Sequence, residues 1–161
     1  MSHQQSSGTV EELSFSTYGF ISRCPEQVYE AIADPRQLSR YFTTGGAQGR
    51  MESGATLTWD FADFPGAFPV SVVEAVPSRR LVLEWAGTDT VTDSGTTTIT
   101  FIFEAADDYT RTRVTITGQG WRPTPNGSLD AFGNCAGWTD MLAALKVWLE
   151  HGVNLRADFY K

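Results

Sequence analysis

Histidine and cysteine are nearly missing from this chain, two of each in 161 residues. His3 lies in a polar N-terminal stretch, and helical periodicity places His151 on the outward side of the last helical segment. That leaves no histidine for a general base or a metal-ligand set, so neither a metal nor a cofactor is expected. Cys24 and Cys135 form no Cys-Xaa-Xaa-Cys spacing and are expected to stay reduced. Basic residues are also scarce: 12 Lys+Arg stand against 19 Asp+Glu, a net charge of −7. Nucleic acid and anionic membranes demand a basic surface and are not expected partners. No run approaches the roughly 18 apolar residues of a membrane span, and Met1 to Thr9 has neither the apolar nor the basic segment of a secretory leader. A cytoplasmic protein is expected. P-loop and dinucleotide fingerprints are absent too, since Gly118-Gln119-Gly120 lacks a third glycine and a following helix.

Aromatic rings are plentiful, with 10 Phe, 5 Trp and 5 Tyr in a chain that is 41% hydrophobic. The length suits one good core rather than two, and residues 12–161 read as a single domain behind a polar, disordered tail of residues 1–11. Leu13, Phe15 and Thr17 alternate with polar neighbours, predicting a first strand that runs to Phe20-Ile21. Pro25 to Ile32 starts a helix with proline in its first turn. Asp34-Pro35 interrupts it, and Arg36 to Tyr41 makes a second short helix.

The period then changes to two. Leu57, Trp59 and Phe61 alternate with polar residues, as do Phe68, Val70 and Val72, then Leu81, Leu83 and Trp85, then Ile99, Phe101 and Phe103, and last Thr112, Val114 and Ile116. Pro65-Gly66, Pro77-Ser78-Arg79, Thr92 to Gly95 and Asp107-Asp108 are the expected turns. Short turns between alternating strands imply an antiparallel sheet with one apolar face. The matching apolar face belongs to a helix expected over Gly137 to Leu155, where Trp138, Met141, Leu142, Leu145, Trp148 and Leu149 recur at helical spacing. The simplest union is an α+β fold in which a curved antiparallel sheet grips that helix. Gly133 and Gly137, poor helix formers, mark a kink or a close approach.

The sequence Pro25-Glu26-Gln27-Val28-Tyr29-Glu30-Ala31-Ile32 with Asp34-Pro35, the stretch Val73 to Pro77 followed by Arg80 to Trp85, and Gly137-Trp138-Thr139 with Leu142, Leu145, Leu149-Glu150 and Gly152 together resemble the helix-grip fold. The order of elements is similar to that of the START/Bet v 1-like (SRPBCC) superfamily, and resembles more closely its activator of Hsp90 ATPase homologue 1-like (AHSA1) branch. That resemblance, over residues 13 to 155, implies an apolar pocket between sheet and helix. It carries over no catalytic residue.

Trp59, Phe61, Phe68, Trp85, Phe101, Phe103, Trp121 and Trp138 are expected to converge between sheet and helix, joined by Met141, Leu142 and Leu145 beneath the helix centre. Taken singly, each ring reads first as core packing. As a set they predict the lining of a small-molecule cavity. Tyr41, Phe42 and Phe64 flank glycine-bearing loops and are expected at its entrance. Strand parity puts Asp60 and Glu84 outside, with Arg111 and Arg113 answering such acids across the sheet, while Asp63 and Asp130 are candidates for the rim.

The expected function is binding of a small apolar or aromatic molecule, in metabolite handling or a stress response. A cyclase or hydrolase acting on a hydrophobic substrate is one alternative, and needs an acid of raised pKa in the cavity. The other is a co-chaperone-like interaction module with a chaperone partner. Ala143 and Val147, on the outer side of the helix, suit such a patch or a homodimer contact.

Overall fold

The computed structural model describes residues 11–161. His3 and the first ten residues of the expected tail therefore lie outside the described residues. Strand β1 (Leu13–Ile21) leads into helices α1 (Pro25–Ala33) and α2 (Pro35–Tyr41), followed by β2 (Gly46–Gln48), β3 (Thr56–Phe61), β4 (Phe64–Val76), β5 (Arg80–Ala86), β6 (Thr96–Ala106) and β7 (Arg111–Trp121), and the chain closes on α3 (Pro125–His151). All seven strands form one antiparallel sheet in the order β1-β7-β6-β5-β4-β3-β2. This is the α+β helix-grip architecture, two short helices behind the first strand and a long helix at the end.

Alternation carried the strands. Along β6 and β7 every second residue is buried, including Ile99, Phe101 and Phe103 on one strand and Val114 and Ile116 on its neighbour. In register Phe101 faces Ile116 and Leu81 faces Phe101, so one sheet face is a continuous apolar surface. Burying a side chain of that size is worth about 1.5 to 3 kcal/mol. Asp60 and Glu84 fall on alternate positions to the core residues Trp59 and Leu83. Arg111 and Arg113 answer other groups than expected: Arg111 pairs with Asp107 at 3.0 Å, and the two guanidinium groups lie over the Phe20 and Tyr18 rings of neighbouring β1.

One turn differs from expectation. Pro65-Gly66 lies inside β4, and the reversal from β3 falls at Ala62-Asp63. Pro65 and Pro69 are tolerated because β4 pairs with β5 only from Ser71 onward, so their missing N–H groups break no ladder on that side.

Helix α3 begins twelve residues before the expected Gly137 and ends at His151. Its start is built by capping rather than by an apolar stripe. Thr124 Oγ1 accepts a hydrogen bond from the Gly127 N–H at 3.0 Å, and Pro125 occupies the first turn. Gly127 is obligatory there, because a Cβ would sit 2.1 Å from the Arg122 carbonyl oxygen. At the other end Gly152 adopts φ +67° and donates its N–H to the Trp148 carbonyl, the left-handed cap that stops the helix. Among the described residues no helix is long and apolar enough to cross a membrane.

Helix α3 lies along β1 and β7. Toward β3 and β5 the space is bridged by rings: Trp138 packs on Phe42, Trp59, Trp85 and Phe101 with centroid separations of 5.3 to 6.3 Å. The core therefore changes character across the sheet, from aliphatic beneath the helix to aromatic beside it.

Candidate functional site

A cleft of about 340 Å³ opens at the aromatic end of the core. Phe42, Phe61 and Phe64 form one side, Trp85 and Trp138 the floor, and Gly133, Asn134, Ala136 and Gly137 the α3 side. Arg156 and Tyr160 reach it from the segment after α3. The volume falls within the roughly 300 to 1,000 Å³ of small-molecule sites. Its width on the helix side comes from missing side chains, since a Cβ built on Gly133 or Gly137 would meet nothing within 4 Å. The close approach expected as one alternative at these glycines is thus replaced by open space.

Ring geometry is favourable throughout. Phe42 meets Phe61 edge-on at 5.1 Å, and Trp85 lies 5.4 Å from Trp138. Arg156 threads between the rings, its guanidinium carbon 5.5 Å from the Phe42 centroid and 5.2 Å from those of Phe61 and Tyr160. The same buried guanidinium donates to the Phe42 carbonyl at 3.3 Å and to Asp63 Oδ2 at 2.9 Å. Burial pushes the Asp63 carboxyl up, but the Arg156 bond and charge, with a 3.2 Å bond from Thr44 Oγ1, hold it below its ordinary value. Tyr160 donates to the Asp140 carboxylate, and desolvation together with that carboxylate pushes its phenol up.

At the helix side Asp130 acts as an anchor. Its Oδ2 accepts from the Trp121 indole N–H at 2.7 Å and from the Thr88 N–H at 2.8 Å. Asn134, one turn on, donates its amide to the Asp130 carbonyl at 3.0 Å. Among the described residues the Trp85 indole N–H, Asn134 Oδ1 and Arg156 Nε have no hydrogen-bond partner. Among the described residues no three His, Cys, Asp or Glu side chains gather as a metal-ligand cluster.

Of the residues expected to line a cavity, Phe61, Trp85 and Trp138 stand in the cleft wall. Trp59 is buried behind Trp85 and Trp138, and Phe68 stacks on Phe61 at 5.9 Å from behind. Phe101 and Phe103 are core, stacked on each other at 6.4 Å. Trp121 is fully buried against Asp130. Met141, Leu142 and Leu145 fill the space under the helix centre, and Leu142 also borders a separate groove beside β1. The open volume consequently lies one to two turns earlier, where the helix carries glycine and alanine in place of long side chains.

The expected entrance divides. Phe64 is 57% exposed and forms the rim, whereas Phe42 is buried wall. Tyr41 is not at an entrance, because its ring is fully buried and its hydroxyl donates to the Ala31 carbonyl at 2.8 Å. Of the acids expected at a rim, Asp63 supports the cleft through Arg156 and Asp130 through Asn134. Asn134, Ala136, Arg156 and Tyr160 had no periodic signal, although small residues at 133, 136 and 137 on one helix face do announce room above them. The groove beside β1, about 440 Å³, is larger, but its Thr139, Thr17 and Lys146 are already hydrogen-bonded.

No curated protein matches the sequence. Solved structures do. SSP2350 from Staphylococcus saprophyticus superposes with a TM-score of 0.70 at 23% identity, over 90% of this chain and 97% of that one. The Aha1 dimer from Colwellia psychrerythraea gives 0.71 at 25% identity, over 87% of this chain and 98% of its own. DynU16, a protein of the dynemicin biosynthetic locus, gives 0.69 at 25% identity, over 90% of this chain and 50% of DynU16. The family model described as "Activator of Hsp90 ATPase homolog 1-like protein" matches residues 23–150, from the residue before the α1 cap to the last turn of α3. With that much of the chain matched and the helix-grip fold shared with those structures, the protein belongs to the activator of Hsp90 ATPase homologue 1-like family.

Proposed function

We propose that the protein binds a small aromatic or largely apolar molecule in the cleft between Trp85, Trp138 and the glycine-bearing turns of α3, and that it does so in the cytoplasm in a metabolite-handling role. The observation that carries this is the wall itself: five rings, those of Phe42, Phe61, Phe64, Trp85 and Trp138, surround a space that Gly133 and Gly137 keep open. A volume more than twice the roughly 150 Å³ that holds one benzene suits two or three fused rings. That a similar fold belongs to a protein of the dynemicin biosynthetic locus agrees with a metabolite as ligand. Catalysis draws no support from Asp63, whose carboxyl is held ionised by Arg156, the reverse of what a general acid needs.

Titration with 1-anilinonaphthalene-8-sulfonate tests the reading. One equivalent should bind the native protein and quench tryptophan emission, because Trp85 and Trp138 line the cleft. Absence of binding, or weak binding at many sites with tryptophan emission unchanged, would overturn it.

A second reading, self-association, rests on Leu129 and Phe132, which are 71% and 69% exposed on α3. That surface is a better candidate than Ala143 and Val147, and the solution structure of a related dimer favours a second copy of this chain as its occupant. Light scattering should then give a dimer that Phe132→Ser converts to monomer; a monomeric wild-type protein would contradict it.

A further inference from the structure

A purely apolar ligand would gain nothing from polar atoms in the wall, and leaving such atoms buried without partners costs stability. Yet Trp85 Nε1, Asn134 Oδ1 and Arg156 Nε, three of the buried side-chain atoms without a partner among the described residues, belong to residues of this one cleft. Trp59 Nε1, a fourth, belongs to the ring packed 6.0 Å from Trp85.

Two of them are fixed in opposite senses. The indole N–H of Trp85 can only donate. Asn134 Oδ1 can only accept, and its orientation is set from behind: the amide nitrogen lies 3.0 Å from the Asp130 carbonyl oxygen and 3.5 Å from Asp130 Oδ1. Turning the amide over would set oxygen against oxygen. Asp130 cannot yield either, because Trp121 and Thr88 hold its other oxygen. The residues of the cleft thus carry one donor and one acceptor of fixed sense among aromatic rings.

A hydroxyl is the small substituent that satisfies both, accepting from the indole and donating to the amide oxygen. A carbonyl or ether oxygen would answer Trp85 and leave Asn134 unpaired. A carboxylate would do the same, and would also find the positive charge of Arg156 already neutralised by Asp63 at 2.9 Å. We infer that the ligand class is a hydroxylated aromatic molecule, a neutral phenol, whose rings lie against Phe42, Phe61 and Trp138 and whose hydroxyl bridges Trp85 Nε1 and Asn134 Oδ1. Both atoms are shielded from water, so binding includes a side-chain rotation that brings them onto the hydroxyl. This inference rests on the cleft being the binding site.

Equilibrium dialysis with 2-naphthol, 2-methoxynaphthalene and naphthalene separates the two claims. Wild-type protein should bind 2-naphthol at least tenfold more tightly than the other two, and Trp85→Phe and Asn134→Leu should each shrink that ratio to within about threefold. Equal binding of all three compounds by wild type, or a ratio that survives both substitutions in folded protein, overturns the phenol subsite while leaving an aromatic cleft. Binding of none of them overturns both. The wild-type ratio alone decides the matter if either variant fails to fold.

Discussion

Arg156 reaches back from the C-terminal segment between Phe42, Phe61 and Tyr160, and Asp63 answers its charge from the β3–β4 turn. Both side chains are largely buried, so losing one leaves the other unpaired. Arg156→Gln should cost roughly 1.5 to 3 kcal/mol in urea melts, the range for hydrogen bonds to charged groups. The pH dependence follows from the direction of the Asp63 shift. A carboxyl held below its unfolded value contributes stability above that value, about 3.9, and loses it as the pH falls through the folded one. Wild-type stability should therefore drop in acid below about pH 4 more steeply than that of Asp63→Asn; parallel curves would show that the pair contributes nothing. Met141 makes the opposite point to its sequence expectation. It is buried under the helix centre, so Met141→Trp should overpack that core and cost about 1 to 3 kcal/mol, measured by thermal or urea unfolding.

Helix α3 contains glycines in two unlike environments, and the same substitution should have opposite signs in them. Gly133→Ala and Gly137→Ala place a methyl where nothing lies within 4 Å, and each should stabilise the protein by up to about 1 kcal/mol through helix propensity. Gly127→Ala drives a methyl onto the Arg122 carbonyl and should destabilise it clearly. Thermal melts of the three variants check this, and a common sign would contradict it. The second half of α3 was legible because Trp138, Met141, Leu142 and Leu145 repeat at helical spacing on a buried face. Its first half was not: that face buries only Gly127 and Ala131, and the helix is started there by Thr124 and Pro125. The segment carrying Arg156 and Tyr160 has no period at all, and only the closure of the chain brings it to the cleft.

At the scale of the whole molecule, strand alternation and punctuation were enough to order the sheet and to require one helix against it. They could not locate the cleft. Every ring on the inner face has the same parity, so periodicity treats Trp59, Phe101 and Trp85 alike, whereas α3 lies along β1 and β7 and only the rings toward its small-residue turns border open space. The central claim is that this space at residues 133–138, rather than the filled core beneath Met141, is where ligand binds. Gly137→Leu tests it most directly, since the added side chain enters the cleft and meets no neighbour at its Cβ. Titrated with 1-anilinonaphthalene-8-sulfonate, this variant should bind at least tenfold more weakly than wild type, a loss of about 1.4 kcal/mol, while melting no lower. Unchanged affinity in a fully folded Gly137→Leu protein would contradict the account and place the site elsewhere.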